Sequence, residues 1–243
     1  MSTPLPTGVD AQKDAAAAAA VALVADGMLV GLGTGSTAAW AVRRLGARVR
    51  AGLRVRCVPT SEATRRLAEA EGIPLARLDD VEALDLAIDG TDEADQDLVL
   101  IKGGGGALLR EKVVARMARR FVVIADASKL VDAVGRFPLP VEVVPFARSA
   151  VAREIERLGA ETSQRRASDG TPVMTDNGNE ILDCRFGRIG DPDLIAARLD
   201  GIPGVVEHGL FIGMAETLIL GDPGGATRTI AAPPHRRPRR LDD

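Results

Sequence analysis

The sequence predicts an α/β fold, with a mainly parallel, Rossmann-like sheet that has helices on both faces, and with a smaller inserted α+β domain. Three observations support this prediction. Short apolar runs alternate with longer helical patterns from residue 28 to residue 126, which is typical of parallel sheets. Glycine-rich or acidic motifs follow these runs, where ligands bind in such sheets. Beyond residue 138 the alternation is replaced by hairpin and helix signals that suit a separate unit.

An alanine-rich segment opens the chain. The eleven apolar residues from Ala15 to Ala25 predict a helix that ends at Asp26 and Gly27. The run is too short to span a membrane, and Asp10 and Asp14 leave no basic flank of the kind that precedes a signal-peptide core. We therefore expect a cytoplasmic protein with no membrane partner.

Strands and helices then alternate along the chain. The apolar patterns predict strands at 28–32, 53–58, 84–89 and 121–126, and helices at 36–47, 61–72 and 106–119. The three motifs discussed below lie at the carboxyl ends of these strands. We expect them to meet at one edge of the sheet.

The segment 136–140 contains two prolines and interrupts this alternation. The pattern beyond it predicts a small α+β unit, with helices at 149–158 and 191–200, a hairpin of 172–175 and 180–186 around an Asn-Gly turn, and a strand at 204–211. Residues 215–220 are expected to rejoin the first sheet. The predicted organisation is a Rossmann-like catalytic domain of residues 1–138 and 213–230, a small domain of residues 139–212, and a disordered tail of residues 231–243.

Composition excludes several classes of protein. Of 243 residues, 46% are apolar but only 2% are aromatic, and the net charge is −3. Nucleic-acid binding needs a basic face and often stacking rings, so we expect no nucleic-acid partner. Cys57 and Cys184 lie in strand-like runs and are predicted to be small core residues rather than a disulfide.

The run IKGGGGALLREK, residues 101–112, is the first motif. Four consecutive glycines lose much backbone freedom on folding, so they suit a loop whose N–H groups must approach a ligand closely. Lys102 precedes them and Glu111 follows in a predicted helix, which adds a cation and a carboxylate for acid–base chemistry. A flexible turn before a helix is the alternative for an isolated glycine run.

The run GLGTGST, residues 31–37, lies between a predicted strand and a predicted helix. Such a helix N-terminus binds anions, and the hydroxyls of Thr34, Ser36 and Thr37 are donors suited to phosphate. Ser36 replaces the third glycine of a dinucleotide fingerprint, and no acid ends the next strand. The lysine of a P-loop is also missing. The motif therefore indicates a small phosphorylated molecule rather than NAD or ATP.

The third motif, residues 84–95, is a short alternating strand followed by Asp89, Asp92, Glu93 and Asp95. Three interpretations are open: a solvated acidic turn, a metal site, or acid–base chemistry in which crowded carboxylates shift one another's pKa beside Lys102. No histidine lies nearby, and neither His208 nor His235 has a ligand-like neighbour in the sequence.

Together, GLGTGST, DGTDEAD and KGGGGALLREK, in this order, resemble the ribose-5-phosphate isomerase family of type A. The resemblance covers about residues 10–230 and also includes FVVIADASK at 121–129, FPLPVEV at 137–143, TDNGN at 175–179 and GIPGVV at 201–206. Thr91 and Gly106 stand where family members often carry alanine, which removes no functional group. The tail has no counterpart.

The resemblance implies a reaction and a set of residues. It implies interconversion of D-ribose 5-phosphate and D-ribulose 5-phosphate through a cis-enediolate, in the non-oxidative pentose phosphate pathway. Glu111 would move the carbon-bound proton, Asp89 would serve the hydroxyl protons, and Lys102 with the loop amides would stabilise the enediolate. The implied substrate-binding residues are Thr34, Gly35, Ser36, Thr37, Asp89, Gly90, Thr91, Asp92, Lys102, Gly103, Gly104, Gly105 and Lys129.

By the same resemblance Asp92 would hold a sugar hydroxyl and Lys129 the phosphate, and the protein would be a homodimer or homotetramer. No metal and no cofactor are expected, because a lysine and backbone amides supply the electrophile. Two rivals stay open. A phosphosugar sensor would keep the phosphate site without the chemistry, and an aminosugar-phosphate deaminase or phosphogluconolactonase would place its base elsewhere, commonly as a histidine.

Overall fold

A computed structural model describes residues 7–236 of the chain. Its helices are α1 (Gly8–Val21), α2 (Ser36–Arg50), α3 (Glu62–Ala70), α4 (Leu108–Met117), α5 (Arg148–Arg157) and α6 (Pro192–Asp200). Its strands are β1 (Leu29–Leu32), β2 (Arg56–Pro59), β3 (Leu86–Gly90), β4 (Glu93–Ala94), β5 (Leu100–Ile101), β6 (Phe121–Asp126), β7 (Leu139–Val143), β8 (Glu161–Gln164), β9 (Glu180–Arg185), β10 (Val205–His208), β11 (Leu210–Phe211), β12 (Thr217–Gly221) and β13 (Thr227–Ala231).

The main sheet has six strands in the order β13-β12-β6-β3-β1-β2. Its neighbouring strands are parallel except β13, which pairs antiparallel with β12. Along β6, Val122 and Ile124 pack into the apolar cluster that contains α1 and α2, whereas Val123 and Ala125 pack into the cluster that contains α4. The sheet is therefore buried on both faces, as the continuous apolar runs predict. The α/β prediction is confirmed.

Helix α1 begins earlier than predicted. The sequence indicated a helix from Ala15 to Ala25, but the structure has it at Gly8–Val21. In its polar first half, Asp14 pairs with Arg44 of α2, and α1 packs closely on the sheet. A Cβ on Gly221 of β12 would lie 1.9 Å from the backbone oxygen of Gln12, so this crossing requires glycine.

A second sheet has four antiparallel strands in the order β10-β7-β9-β8, and a short third sheet has the order β11-β5-β4. The predicted hairpin of 172–175 and 180–186 is wrong in its pairing. Met174 forms only an isolated bridge with Glu180, while β9 pairs with β7 and β8. Strand β8 was missed because its sequence, ETSQ, is a half-exposed edge without apolar alternation. The strand predicted at 204–211 is divided into β10 and β11.

The domain boundaries at 138/139 and 212/213 remain a prediction; all four strands of the second sheet lie between Leu139 and His208. The predicted disordered tail is wrong for residues 231–236. Ala231 ends β13, Ala232 is buried, and Arg236 makes an ion pair of 2.6 Å with Asp193. Residues 237–243 of that predicted tail lie outside the described residues. Within 7–236, no helix is long and apolar enough to cross a membrane.

Candidate active site

The candidate site lies at the carboxyl edge of the main sheet, where β1 and β3 are neighbours. The chain passes from β1 to β2 on one side and then to β3 on the other, and such a reversal opens a crevice outside the strand ends. A cavity of about 220 Å³ occupies this edge. Of the predicted site residues, Asp89 alone does not line it; Asp89 is buried against Lys102. Those that line the cavity are Thr34, Gly35, Ser36, Thr37, Gly90, Thr91, Asp92, Lys102, Gly103, Gly104, Gly105, Glu111 and Lys129.

Asp89, Lys102 and Glu111 form a buried ionic triad. Lys102 Nζ is 2.9 Å from Asp89 Oδ2 and 3.2 Å from Glu111 Oε1, and it donates to Gly90 O at 2.6 Å. The three side chains are at most 5% exposed. Glu111 Oε2 is buried and accepts no hydrogen bond from the part of the chain that the structure describes. This oxygen is therefore available to take a proton from a ligand.

The surroundings of the triad shift its proton equilibria. Burial and the charge of Asp89 raise the pKa of Glu111 to about 8, although Lys102 opposes the shift. Burial alone would lower the pKa of Lys102, but the two carboxylates outweigh it and raise this pKa above its ordinary value. Lys102 therefore stays a cation, while Glu111 exchanges its proton near neutral pH. A general base is most effective when its pKa lies near the working pH.

Close backbone contacts hold Asp89 and Lys102 in place. Asp89 Oδ1 accepts a hydrogen bond from the Thr34 N–H at 3.1 Å. A Cβ on Gly33 would lie 1.9 Å from the same oxygen, so the loop after β1 can approach the carboxylate only because residue 33 is glycine. The Lys102 N–H donates at 2.9 Å to Gly209 O, in the link between β10 and β11.

The glycine loop makes a turn in which Gly103 and Gly106 have φ values of 99° and 80°, and the Gly106 N–H donates to Gly103 O at 3.0 Å. By the family resemblance, the amides of residues 103–105 were expected to stabilise the enediolate oxygens. The structure excludes Gly104, because its N–H already donates to Asp92 Oδ2 at 2.7 Å. The N–H groups of Gly103 and Gly105 donate to no acceptor within residues 7–236 and are available to a ligand.

A candidate anion site lies at the N-terminus of α2. Gly35 precedes the helix with a φ of 106°, and no side chain in the described part of the chain caps the first-turn N–H groups, so these groups and the helix dipole favour an anion. Lys13 of α1 and Lys129, after β6, also line the cavity, and Lys13 Nζ donates to Ser36 Oγ at 3.1 Å. Lys13 was not predicted, because one lysine in an alanine-rich helix carries no motif. Packing of α1 beside α2 brings it here.

The Thr34 hydroxyl does not serve the anion site as predicted. It lies 2.7 Å from Thr60 Oγ1, 2.9 Å from Ser61 Oγ and 3.1 Å from Thr64 Oγ1. These hydroxyls connect the loop after β1 to the start of α3. The methyl carbon of Thr34 instead lies beside Gly105, 3.4 Å from the point where a Cβ on this glycine would stand.

Only two of the four acids of the third motif, Asp89 and Asp92, belong to the site. Glu93 accepts hydrogen bonds from the N–H groups of Gly135 and Phe137 at 2.7 and 2.8 Å. Asp95 accepts from the backbone of its own turn. Asp92 lines the cavity, and burial raises its pKa, although hydrogen bonding and nearby cations oppose the shift. Solvated-turn and metal interpretations of this cluster therefore do not fit its contacts.

His208 does have ligand-like neighbours, contrary to the prediction. Asp200, Glu207 and His208 bring potential ligand atoms within 4.8 Å of one another, outside the cavity. However, burial lowers the pKa of His208 to about 3, and its Nδ1 accepts the Leu210 N–H, so the imidazole proton lies on Nε2, 3.2 Å from Asp200. Lys112 Nζ is 2.5 Å from Glu207. This proton and this ammonium group occupy the positions that a cation would need.

The fold and the cavity define a class of protein. It is an α/β protein that can hold a small phosphorylated molecule. One end of that molecule would lie at a helix N-terminus between two lysines. The other end meets a titratable carboxyl group, a buried lysine and two available backbone amides, which are the components of acid–base catalysis at carbon.

Comparison with known proteins identifies the family. The family pattern described as Ribose 5-phosphate isomerase A (phosphoriboisomerase A) matches residues 56–225. The chain is 56% identical over 225 residues to Ribose-5-phosphate isomerase A of Methylorubrum extorquens, which covers 90% of this chain and 95% of that protein. It is 58% identical over 219 residues to the protein of the same name from Gloeobacter violaceus, covering 89% and 95%. The chain belongs to the ribose 5-phosphate isomerase A family.

Solved structures agree with this assignment. A D-ribose-5-phosphate isomerase in complex with phospho-erythronic acid superimposes with a TM-score of 0.89 and 40% identity, covering 93% of this chain and all of the other. Ribose 5-phosphate isomerase A from Methanocaldococcus jannaschii gives a TM-score of 0.86 and 43% identity, covering 90% and 97%. The resemblance that the three motifs predicted is confirmed.

Proposed function

We propose that this protein interconverts D-ribose 5-phosphate and D-ribulose 5-phosphate through a cis-enediolate. The observation that carries the proposal is the buried triad. In it Glu111 Oε2 has no hydrogen-bond partner among residues 7–236, while Glu111 Oε1 lies 3.2 Å from the ammonium group of Lys102. Family membership supports the same reaction.

The chemistry follows from the positions of these groups. Glu111 Oε2 takes the proton from C2 of the open-chain aldose, and the C–H electron pair forms the C1–C2 double bond while charge moves to the carbonyl oxygen. The O2 hydroxyl proton then passes to O1, which moves the negative charge to O2. The same carboxyl group returns its proton to C1 while the C2–O2 double bond of the ketose forms. The Lys102 ammonium group and the N–H groups of Gly103 and Gly105 stabilise the negative oxygen of the intermediate.

The two aspartates have different surroundings. Asp89 Oδ1 accepts the Thr34 N–H and its Oδ2 contacts Lys102, so we infer that Asp89 holds the lysine in place and charged. Its predicted part in moving the hydroxyl protons stays a prediction. Asp92 lines the cavity beside the glycine loop, and its raised pKa suits a group that holds a sugar hydroxyl.

The phosphate binds, in this proposal, at the N-terminus of α2. Thr37 and Ser36 supply first-turn N–H groups, and Lys13 and Lys129 supply charge on either side. The same cavity should accept phospho-erythronic acid, the molecule bound by one solved relative, with its carboxylate at the triad.

The rival enzymes fit less well. A deaminase or lactonase that uses a histidine base would need one in the cavity, and no histidine is among the described residues that line it. Both nitrogens of His208 face hydrogen-bond partners elsewhere. A sensor without catalysis would have no use for a buried lysine between two carboxylates, because burying three ionisable groups is costly.

The test is conversion of D-ribose 5-phosphate by the purified protein in D₂O, followed by NMR. We expect ketose formation with deuterium incorporated at C1, because an enediolate exchanges its carbon-bound proton with solvent through Glu111. Unphosphorylated D-ribose is the control for the anion site and should react far more slowly. Absence of conversion would refute the function, and deuterium at a ketose carbon other than C1 would refute an enediolate between C1 and C2.

The homodimer or homotetramer and the cytoplasmic location remain predictions. Light scattering coupled to size-exclusion chromatography would measure the mass of the assembly, against 25.4 kDa for one chain.

A further inference from the structure

Arg165 reaches the glycine loop from the second sheet. It follows β8 directly, and its Nη1 donates to Gly103 O at 2.8 Å and to Gly104 O at 3.1 Å. Asp183 of β9 holds the other edge of the guanidinium group, accepting from Nε at 3.0 Å and also from Nη2. The two side chains are 15% and 22% exposed. A paired, mostly buried guanidinium group of this kind is fixed in direction as well as in position.

The carbonyls that Arg165 binds determine the direction of the following amides. A trans peptide is planar, so the C=O of Gly104 and the N–H of Gly105 point in opposite directions. Because Arg165 holds this carbonyl, the Gly105 N–H is directed away from the guanidinium group, and Gly105 lines the cavity. The peptide before it is held at both ends, since Arg165 binds Gly103 O while Asp92 accepts the Gly104 N–H.

This restraint matters because consecutive glycines have no side chains that would hinder rotation of their peptides. A donor to a developing oxyanion is effective only when its direction is fixed before the charge appears. We propose that Arg165, held by Asp183, is a positioning residue that directs the Gly105 N–H of the glycine loop at the reacting oxygen of the substrate. The inference rests on the proposed function. It makes the second sheet part of the catalytic apparatus, although Arg165 does not line the cavity.

The experiment compares Arg165→Met with Arg166→Met. Arg166 is the matched control, because it is exposed and, within residues 7–236, its side chain bonds only to Gly170 O and Gln164 Oε1. With D-ribose 5-phosphate we expect Arg165→Met to lower kcat about 10- to 100-fold and to change KM less than about threefold. The reason is that a misdirected N–H group no longer stabilises the negative oxygen of the transition state, whereas it contributes little to substrate binding. Arg166→Met should stay within about twofold of the parent in both constants.

Inhibition separates positioning from a general loss of structure. Arg165→Met should weaken competitive inhibition by phospho-erythronic acid about tenfold or more and leave inhibition by inorganic phosphate unchanged, because only the acid places an anionic oxygen at the glycine loop. Arg165→Lys keeps the charge but cannot bind Asp183 and two carbonyls together, so its kcat should lie between those of the parent and Arg165→Met.

Three results would overturn the inference. One is a kcat for Arg165→Met within about twofold of that of Arg166→Met. Another is an equal weakening, in Arg165→Met, of inhibition by phospho-erythronic acid and of inhibition by inorganic phosphate. If Arg165→Met does not fold, Asp183→Asn releases the guanidinium group without removing it, and an unchanged kcat in that variant would be the third. Failure of the proposed function is distinct, because the parent protein itself would then leave D-ribose 5-phosphate unconverted.

Discussion

Replacing Glu111 by glutamine removes the base with little change of shape. The amide oxygen can still accept from Lys102 Nζ, which lies 3.2 Å from Glu111 Oε1. The pKa of Glu111 is raised to about 8, so the variant exchanges one mostly neutral group for another at pH 7. We therefore expect Glu111→Gln to fold and to keep a near-normal KM. Its kcat should fall on the order of 10²–10⁴-fold, the usual contribution of a general base.

The parent protein should show the matching pH profile. A base must be ionised, so kcat/KM rises with pH until the raised pKa of Glu111 is passed, near 8. From the ionised fraction, kcat/KM should increase about tenfold between pH 6 and pH 7 and become nearly constant above about pH 9.

The assay is ketose formation from D-ribose 5-phosphate between pH 6 and pH 9, with circular dichroism of each protein as the control for folding. A Glu111→Gln variant with kcat within about threefold of the parent would exclude Glu111 as the proton shuttle. A parent profile that is flat across this range would contradict the raised pKa.

Three further predictions follow from the same geometry. Ser36→Ala and Thr37→Val should raise KM with little change in kcat, because phosphate is held alike in the ground and transition states; unchanged binding of substrate and inorganic phosphate would show that the anion site is misplaced. Activity should persist after exhaustive EDTA treatment, since Lys102 and the loop amides stabilise the oxyanion; loss with EDTA and recovery with Mg²⁺, Mn²⁺ or Zn²⁺ would contradict this mechanism. The folded protein keeps the Glu111 proton up to about pH 8, whereas the unfolded chain loses it near 4.5. Between these values the free energy of unfolding should decrease with rising pH by up to about 1.4 kcal/mol per unit more in the parent than in Glu111→Gln. If urea titrations gave the parent and Glu111→Gln the same dependence of the unfolding free energy on pH, this prediction would be refuted.

The sequence alone determined the fold class and most of the site. Parallel strands place their carboxyl ends at one edge of a sheet, so the motifs at the ends of β1 and β3 had to lie near one another once the βα alternation was recognised. The glycine loop follows β5, which belongs to the short antiparallel third sheet, so its place beside them did not follow from the alternation. The requirement for glycine at residue 33 appeared only in the structure, where the backbone approaches Asp89 so closely that a Cβ would not fit.

Only the tertiary structure decided which groups are available for chemistry. The sequence cannot show that Asp92 accepts a hydrogen bond from the Gly104 N–H, or that the hydroxyls of Thr34 and Thr60 bond to each other. Each of these bonds depends on the direction of a side chain rather than on spacing along the chain. Lys13 and Arg165 reach the site from α1 and from the second sheet. Residues that lack a motif are brought to a site by packing between distant segments, and the free energy of that packing comes from the whole apolar core rather than from any local run of sequence.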